Sequence, residues 1–173
     1  MLVVDASVIA PAIADGGPDG EACRARIKGQ SLAAPDLLRV EAVSVIRRQL
    51  ANGALSATQA NNAIDDLMNL PIAVYPTAAL LRRAWELRDN ATAYDACYVA
   101  LAEALGCALA TADQRLANAP GARCQFDRVS TGPTARRTTT RYPAQRTFRD
   151  ASAVEHGGSG EWSGWDDLVN SRD

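Results

Sequence analysis

The stretch TAYDACYVALAEALGCALATAD, residues 92–113, carries a helix, a stop, a strand and an acid in 22 residues. Thr92 is a good N-cap, because its hydroxyl can accept a bond from a free N–H of the first helical turn. The residues that follow are apolar nearly all round the helical circle, the mark of a buried helix. Gly106 ends it, since glycine takes the left-handed closing conformation without strain. CALAT then reads as a strand that delivers Asp113. Helix and strand in immediate succession are the repeating unit of a parallel sheet, whose neighbouring strands need crossover helices.

The rest of the chain repeats this alternation. MLVVDASVIA, residues 1–10, opens with Leu2, Val3 and Val4, a short buried strand with Asp5 just past its end. A run this brief is not separable from a piece of helix by periodicity alone. SVIAPAIA reads as a short helix broken or bent near Pro11, and GPDGEACRARIKG as a second helix closed by Gly29. LAAP is a short strand. PDLLRVEAVSVIRRQLANG is a strong helix with Pro35 at its mouth and Gly53 as its stop. Ser56 and Gln59 form a capping-box pair for SATQANNAIDDLMNL, and PIAVYP follows as a strand. Thr77 is the expected cap of TAALLRRAWELRDN, and ARCQF the last ordered piece. The expected fold class is α/β, with a mainly parallel central sheet flanked by helices.

Composition divides the chain near residue 130. From Thr131 to Asp173 the only large aliphatic residues are Val154, Leu168 and Val169, too few to offset the entropy of folding. The expected domain is therefore residues 1–130, followed by a disordered tail, 131–173. No stretch approaches the ~18 apolar residues of a membrane span, and the start lacks the basic flank and apolar core of a signal peptide, so the expected location is the cytoplasm. Cys23, Cys97, Cys107 and Cys124 lack C-x-x-C spacing and read as buried small hydrophobes. The single histidine, His156, lies in the tail. Zinc sites of the usual Cys/His spacing and Ser-His-Asp catalysis thus lose their ordinary parts. Any chemistry in the domain falls to carboxylates.

The net charge is −2, and the 12 basic and 14 acidic residues of positions 1–130 account for it. This is no strongly basic nucleic-acid binder. The arginines nevertheless pair as Arg47-Arg48 and Arg82-Arg83, which fits either a local basic rim or ordinary solvated helix faces.

Four acids stand out. Asp5 and Asp113 both follow strands, where open parallel sheets form their ligand crevice. Asp95 lies in the first turn of an apolar helix in which Glu103 is the only other charged residue. The helix dipole favours a carboxylate there by about 0.3–1 kcal/mol, against several kcal/mol for burying an ion, so a cation partner is the better explanation. Glu41 falls roughly 60° from Leu38 around its helix and borders the apolar arc of Leu38, Ala42, Val45 and Ile46. Ser44 and Arg48 share its side, and a plain polar face explains Glu41 about as well as a site does.

With VVDASVI at the start, Glu41 in LLRVEAVSVIRR, Asp95 in TAYDACYVALAEALG and Asp113 in LATADQRL, the chain resembles the PIN-domain nucleases, most closely the VapC-like ribonuclease toxins of bacterial toxin-antitoxin pairs. The resemblance covers about residues 1–127. It implies a PIN-like fold in which Asp5, Glu41, Asp95 and Asp113 converge on one or two Mg²⁺ or Mn²⁺ ions, with Ser7 and Thr111 at supporting hydroxyl positions. It further implies RNA hydrolysis to 5′-phosphate and 3′-hydroxyl ends, a transfer or ribosomal RNA substrate, a cognate VapB-like antitoxin and pairing as a homodimer. Gathered carboxylates raise one another's pKa and accept a divalent cation, and oxygen-only ligands select a hard one. Arg39, Arg48, Arg82 and Arg115 are candidate phosphate contacts.

Other readings remain. The domain could be an inactive PIN-like module that binds RNA or protein, or a housekeeping RNA-processing nuclease. A phosphoaspartate phosphatase would want an aspartate where Ser7 stands, and a receiver domain a late lysine, whereas Lys28 is the only lysine. The tail departs from the family pattern. It has five arginines and no acid from Thr131 to Arg149, then six acids and one arginine, with GGSG at 157–160 resembling a linker. It reads as a disordered extension, of altered or added sequence, or as an arm that resembles that of a VapB-like antitoxin, with Trp162, Trp165 and Arg172 as anchors.

Overall fold

Residues 1–132 are described by a computed structural model. The readings of the tail, including Trp162, Trp165 and Arg172, lie outside the described residues. Strands β1 (Leu2–Val4), β2 (Leu32–Pro35), β3 (Ile72–Tyr75), β4 (Ala108–Thr111) and β5 (Phe126–Arg128) form one sheet in the order β3-β2-β1-β4-β5. Every pairing is parallel, with Val3 beside Ala33 on one side and Leu109 on the other. The helices are α1 (Ala6–Ala14), α2 (Pro18–Ile27), α3 (Leu38–Ala51), α4 (Ala57–Asn69), α5 (Leu81–Glu86) and α6 (Ala93–Leu105). From β1 the chain steps to β2 and β3 in one direction, then crosses back to β4 and β5. Right-handed crossovers put α1–α4 on one face and α5–α6 on the other. The strand order thus reverses between β1 and β4, the place where such sheets open a crevice.

The core follows from the sequence pattern. β1 is buried on both faces, as a central parallel strand must be. Its Val3 and Val4 meet Val8 and Ile9 of α1, Leu109 of β4, and Tyr98, Val99 and Leu101 of α6 in one cluster. α6 is capped by Thr92, whose Oγ1 accepts from the Asp95 N–H at 3.1 Å, and it closes on Gly106 at φ 61°. The Ser56–Gln59 capping box of α4 forms reciprocally. All four cysteines are free, with Cys23 and Cys97 buried. Among the described residues, no helix is long and apolar enough to cross a membrane.

Four local expectations are corrected. α1 runs through Pro11 without a break, because the ring is buried and its missing N–H removes a single helical bond. β2 has the bounds expected of LAAP, ending at Pro35, but α3 begins only at Leu38, so Pro35 does not stand at its mouth. Its nitrogen faces the side of β1, whose register with β2 stops at Ala33, so no ladder bond is lost. Thr77 caps no helix; its N–H and hydroxyl both bond to Asp36, and the segment divides into a 3₁₀ turn, Thr77–Ala79, and α5. The last strand begins at Phe126, where the expected one ends, because pairing with β4 selects Phe126–Arg128.

One glycine sets how α1 and α2 meet. A Cβ on Gly20 would lie 1.9 Å from the Asp15 carbonyl oxygen and 2.8 Å from that of Pro11, so α2 packs backbone to backbone against the end of α1. Arg24 completes the joint, donating from Nη1 to the carbonyls of Ala12 and Asp15 at 3.0 and 2.7 Å. Gly20→Ala is expected to cost about 1–3 kcal/mol by urea unfolding, the usual penalty of overpacking. Gly16→Ala, where an added Cβ meets nothing within 4 Å, should stay near wild type.

Candidate acidic active site

The four acids come from four different elements. Asp5 leaves β1 and serves as N-cap of α1; Glu41 lies in the first turn of α3; Asp95 lies in the first turn of α6; Asp113 follows β4. They share one electrostatic neighbourhood at the carboxyl ends of the strands. The charge of Asp5 acts on Glu41 and Asp95, that of Asp113 on Asp5 and Asp95, and that of Asp95 on Glu41.

Each acid is held chiefly by a neutral donor. Asp5 and Thr111, 7% and 1% exposed, are the buried polar side chains among the described residues. Asp5 Oδ2 accepts from Ser7 Oγ and Thr111 Oγ1, both at 2.7 Å, while Oδ1 has only the Ser7 N–H at 3.3 Å. The same hydroxyls accept from the backbone beyond β4: Ala112 N–H donates to Ser7 Oγ at 3.0 Å, and Asp113 N–H to Thr111 Oγ1 at 3.0 Å. Tyr98 donates its phenol to Glu41 Oε2 at 2.6 Å, and Thr92 its hydroxyl to Asp95 Oδ2 at 2.8 Å. Asp113 Oδ1 accepts from the Arg115 N–H at 2.7 Å, with the Arg115 guanidinium 3.7 Å from Oδ2.

Burial dominates the electrostatics. It raises the Asp5 carboxyl above its ordinary value, against the lowering effect of the Thr111 and Ser7 bonds. Burial also lifts Glu41 to about 7 and Asp95 to about 6, each opposed by its hydroxyl donor and reinforced by neighbouring acids. Tyr98, raised well above the usual phenol range by burial and then by Glu41, remains a proton donor. Glu103, at the other end of α6, takes the opposite course. Desolvation would raise it, but Arg83 donates Nε and Nη2 to its two oxygens at 2.7 and 3.1 Å, and its pKa falls. The buried cation partner expected for Asp95 is not a side chain of the described residues; Arg115 acts on it only through space.

Among the described residues, no three acid, histidine or cysteine side chains are drawn into a ready metal centre. Each carboxylate is bonded to its own donor. The donor set nevertheless fits a hard divalent cation: all oxygen and several negative charges, three of them on carboxylates that burial makes costly to ionise. Asp5, Glu41, Asp95 and Asp113 are the residues that could hold it.

Of the candidate phosphate contacts, the structure brings Arg115 to the acids. Arg82 is exposed, Arg48 is half-buried on α3, and Arg39 has a buried Nε with no hydrogen-bond partner in the structure. Sequence reasoning missed Tyr98. The signal was there: a tyrosine inside an apolar helix needs a partner for its hydroxyl, and it falls three residues after Asp95 on the same side.

These features define an α/β domain with four electrostatically coupled carboxylates at the carboxyl ends of a parallel sheet, near the point where the strand order reverses. The PIN domain profile matches residues 2–122, and the chain belongs to the PIN-domain family. It is 43% identical over 124 residues to ribonuclease VapC9 of Mycobacterium tuberculosis, spanning 72% of this chain and 94% of that protein. In fold it is similar to VapC20 of the same species, described as a toxin cleaving the sarcin-ricin loop, at TM-score 0.55 and 16% identity over 68% of this chain and 94% of that one. It is also similar to VapBC2 of Rickettsia felis, solved on a promoter DNA fragment, at TM-score 0.54 and 12% identity over 75% of this chain and all of that one.

The raised acids fix the sign of a pH effect. The folded protein binds protons at Glu41 and Asp95 more tightly than the unfolded chain, so this stabilisation is full at acid pH and is lost as pH rises through about 6 and 7. With chelator present, the melting temperature should fall by roughly 5 °C between about pH 5 and 7.5. Tyr98→Phe removes a bond that lowers the Glu41 pKa, and should shift the fall to higher pH.

Proposed function

We propose that the protein is an endoribonuclease toxin that hydrolyses RNA phosphodiester bonds with Mg²⁺ or Mn²⁺, leaving 5′-phosphate and 3′-hydroxyl ends. The observation that carries the reading is the mutual electrostatic action of Asp5, Glu41, Asp95 and Asp113 at the carboxyl ends of the strands, the first three held by hydroxyl donors with little positive charge beside them. The 43% identity to a ribonuclease across nearly all of that protein's length supports the same reaction class. A divalent ion held there would offset the carboxylate charge, activate water and stabilise the charge developing on the phosphate.

The chain's own residues prepare the site. Ser7 and Thr111 take one oxygen of Asp5 and leave Oδ1 with a single long contact. Thr92 and Tyr98 likewise engage one oxygen each of Asp95 and Glu41, so that one oxygen of each faces no hydrogen-bond donor among the described residues. In this reading Asp5, Asp95 and Asp113 are metal ligands. Glu41 is a ligand or orients the attacking water, with the Tyr98 phenol fixing its carboxylate plane. Arg115 stands beside Asp113, where it can meet a substrate phosphate. The single-stranded loops of transfer or ribosomal RNA are the substrate class, since their splayed backbone can reach acids at the carboxyl ends of the central strands. A VapB-like antitoxin and a second copy of the chain are the partners that go with this reading, and residues 1–130 are the nuclease domain.

The test is cleavage of end-labelled total RNA by the full chain with Mg²⁺, with Mn²⁺ and with EDTA, beside Asp5→Asn. Cutting is expected with either metal, absent in EDTA, and reduced at least about 100-fold in the variant. Metal-independent cutting, or equal cutting by Asp5→Asn, would overturn the reading. Added Mg²⁺ should also raise the melting temperature more at pH 7.5 than at pH 5.5, because only ionised carboxylates bind it.

A further inference from the structure

Asp113, one of the four acids, also borders a space that the other three do not line. A pocket of about 320 Å³ opens between the end of β4 and the segment that follows β5. This is the low end of the volume range of small-ligand sites, and it suits one nucleotide. Its apolar lining includes Ala117 and Val129, its polar lining Gln114, Ser130 and Arg128, and Asp113 belongs both to the pocket and to the electrostatically coupled acids.

The walls are fixed. Val129 N–H donates to the Thr111 carbonyl at 3.0 Å, and Gly132 N–H donates to Asp19 at 2.6 Å, so the outer strap is tied at both ends. An ion pair between Arg26 and Asp127 holds β5 to α2. Arg128 Nη2 donates to the Ala117 carbonyl at 3.0 Å and to Asn118 Oδ1 at 2.6 Å, which fixes the guanidinium over the 3₁₀ turn Leu116–Asn118. Its other nitrogens make no hydrogen bond to the described residues, and neither does the exposed Gln114 amide.

We propose that this pocket receives the nucleotide next to the bond being cut. Gln114 reads the edge of its base and Arg128 meets its phosphate, an assignment that rests on the nuclease reading for the position of the cut. The chemistry of each part matches. An unstacked base needs apolar walls and a few polar groups at its edge, and an amide side chain offers a donor and an acceptor together. A guanidinium already oriented by two hydrogen bonds loses little freedom on meeting a phosphate. Because Asp113 is shared, a base seated here sets which phosphodiester lies over the acids. Gln114 is thus a specificity residue, and Arg128 an anchor that carries no sequence information.

The test is selection of a random hexaribonucleotide pool by full-length Asp5→Asn protein, which holds the pool intact, followed by sequencing of the bound fraction. Enrichment of one base at one position is expected. In Asp5→Asn/Gln114→Ala that enrichment should fall about tenfold, a loss in the range of one base contact. Gln114 is exposed, so this substitution leaves the fold intact. In Asp5→Asn/Arg128→Gln all sequences should weaken by a similar factor, and the salt dependence of binding should drop by about one phosphate contact. Unchanged enrichment in the Gln114 variant would overturn the proposal. The nuclease reading fails separately, if the wild-type protein selects RNA in the same way yet cuts none with metal present.

Discussion

The carboxylate of Asp5 is the constraint around which the domain is arranged. It is buried at the end of the central strand, and its Oδ2 is held by two hydroxyls, one from the next turn of chain and one from Thr111, 106 residues away. Those hydroxyls in turn accept the N–H groups that steer the chain out of β4. A buried charge with so many neutral donors is tolerated only if each is in place, because losing one leaves the ion short of a bond that water cannot replace. The parallel pairing of β1 with β4 and the position of Asp113 are therefore one problem with one solution.

α6 shows how the chain distinguishes structural charge from reactive charge. It carries two acids. Glu103 sits at its carboxyl end, held in a bidentate pair by Nε and Nη2 of Arg83, and its proton affinity falls. Asp95 sits at its amino end with a threonine hydroxyl, and its proton affinity rises. The difference lies in the deeper burial of Asp95, which its threonine bond only partly opposes, and in the arginine that holds Glu103. A carboxylate neutralised by arginine is finished as an interaction, whereas one held by a hydroxyl keeps its charge available.

Much of this was readable from residues alone. Thr92 and Gly106 set the limits of α6 and so the address of Asp95; Asp5 and Asp113 were placed by the strands before them. These signals are local and depend on capping and glycine conformation. Glu41 was harder, since helical periodicity put it on the border of the core and stopped there. What draws it into the site is Tyr98, 57 residues later, and no local pattern encodes that bond. Pro11 and Pro35 misled for the related reason that burial and register, which are tertiary, decide whether a missing N–H matters. Among the arginines, the pair Arg82-Arg83 looked alike in sequence, yet Arg83 is occupied by Glu103 and Glu86 while Arg82 stands exposed.

The link between Asp5 and Thr111 bears on synthesis as well as on structure. β1 leaves the ribosome first, but its neighbour β4 comes more than a hundred residues later, and such distant pairing pays its loop-closure entropy late. Until Thr111 arrives, Asp5 lacks one of its two hydroxyl donors and Asp113 does not exist. A nascent or prematurely ended chain therefore holds three of the acids without a crevice to put them in. The four acids of a domain built this way come together only once the far side of the sheet has closed.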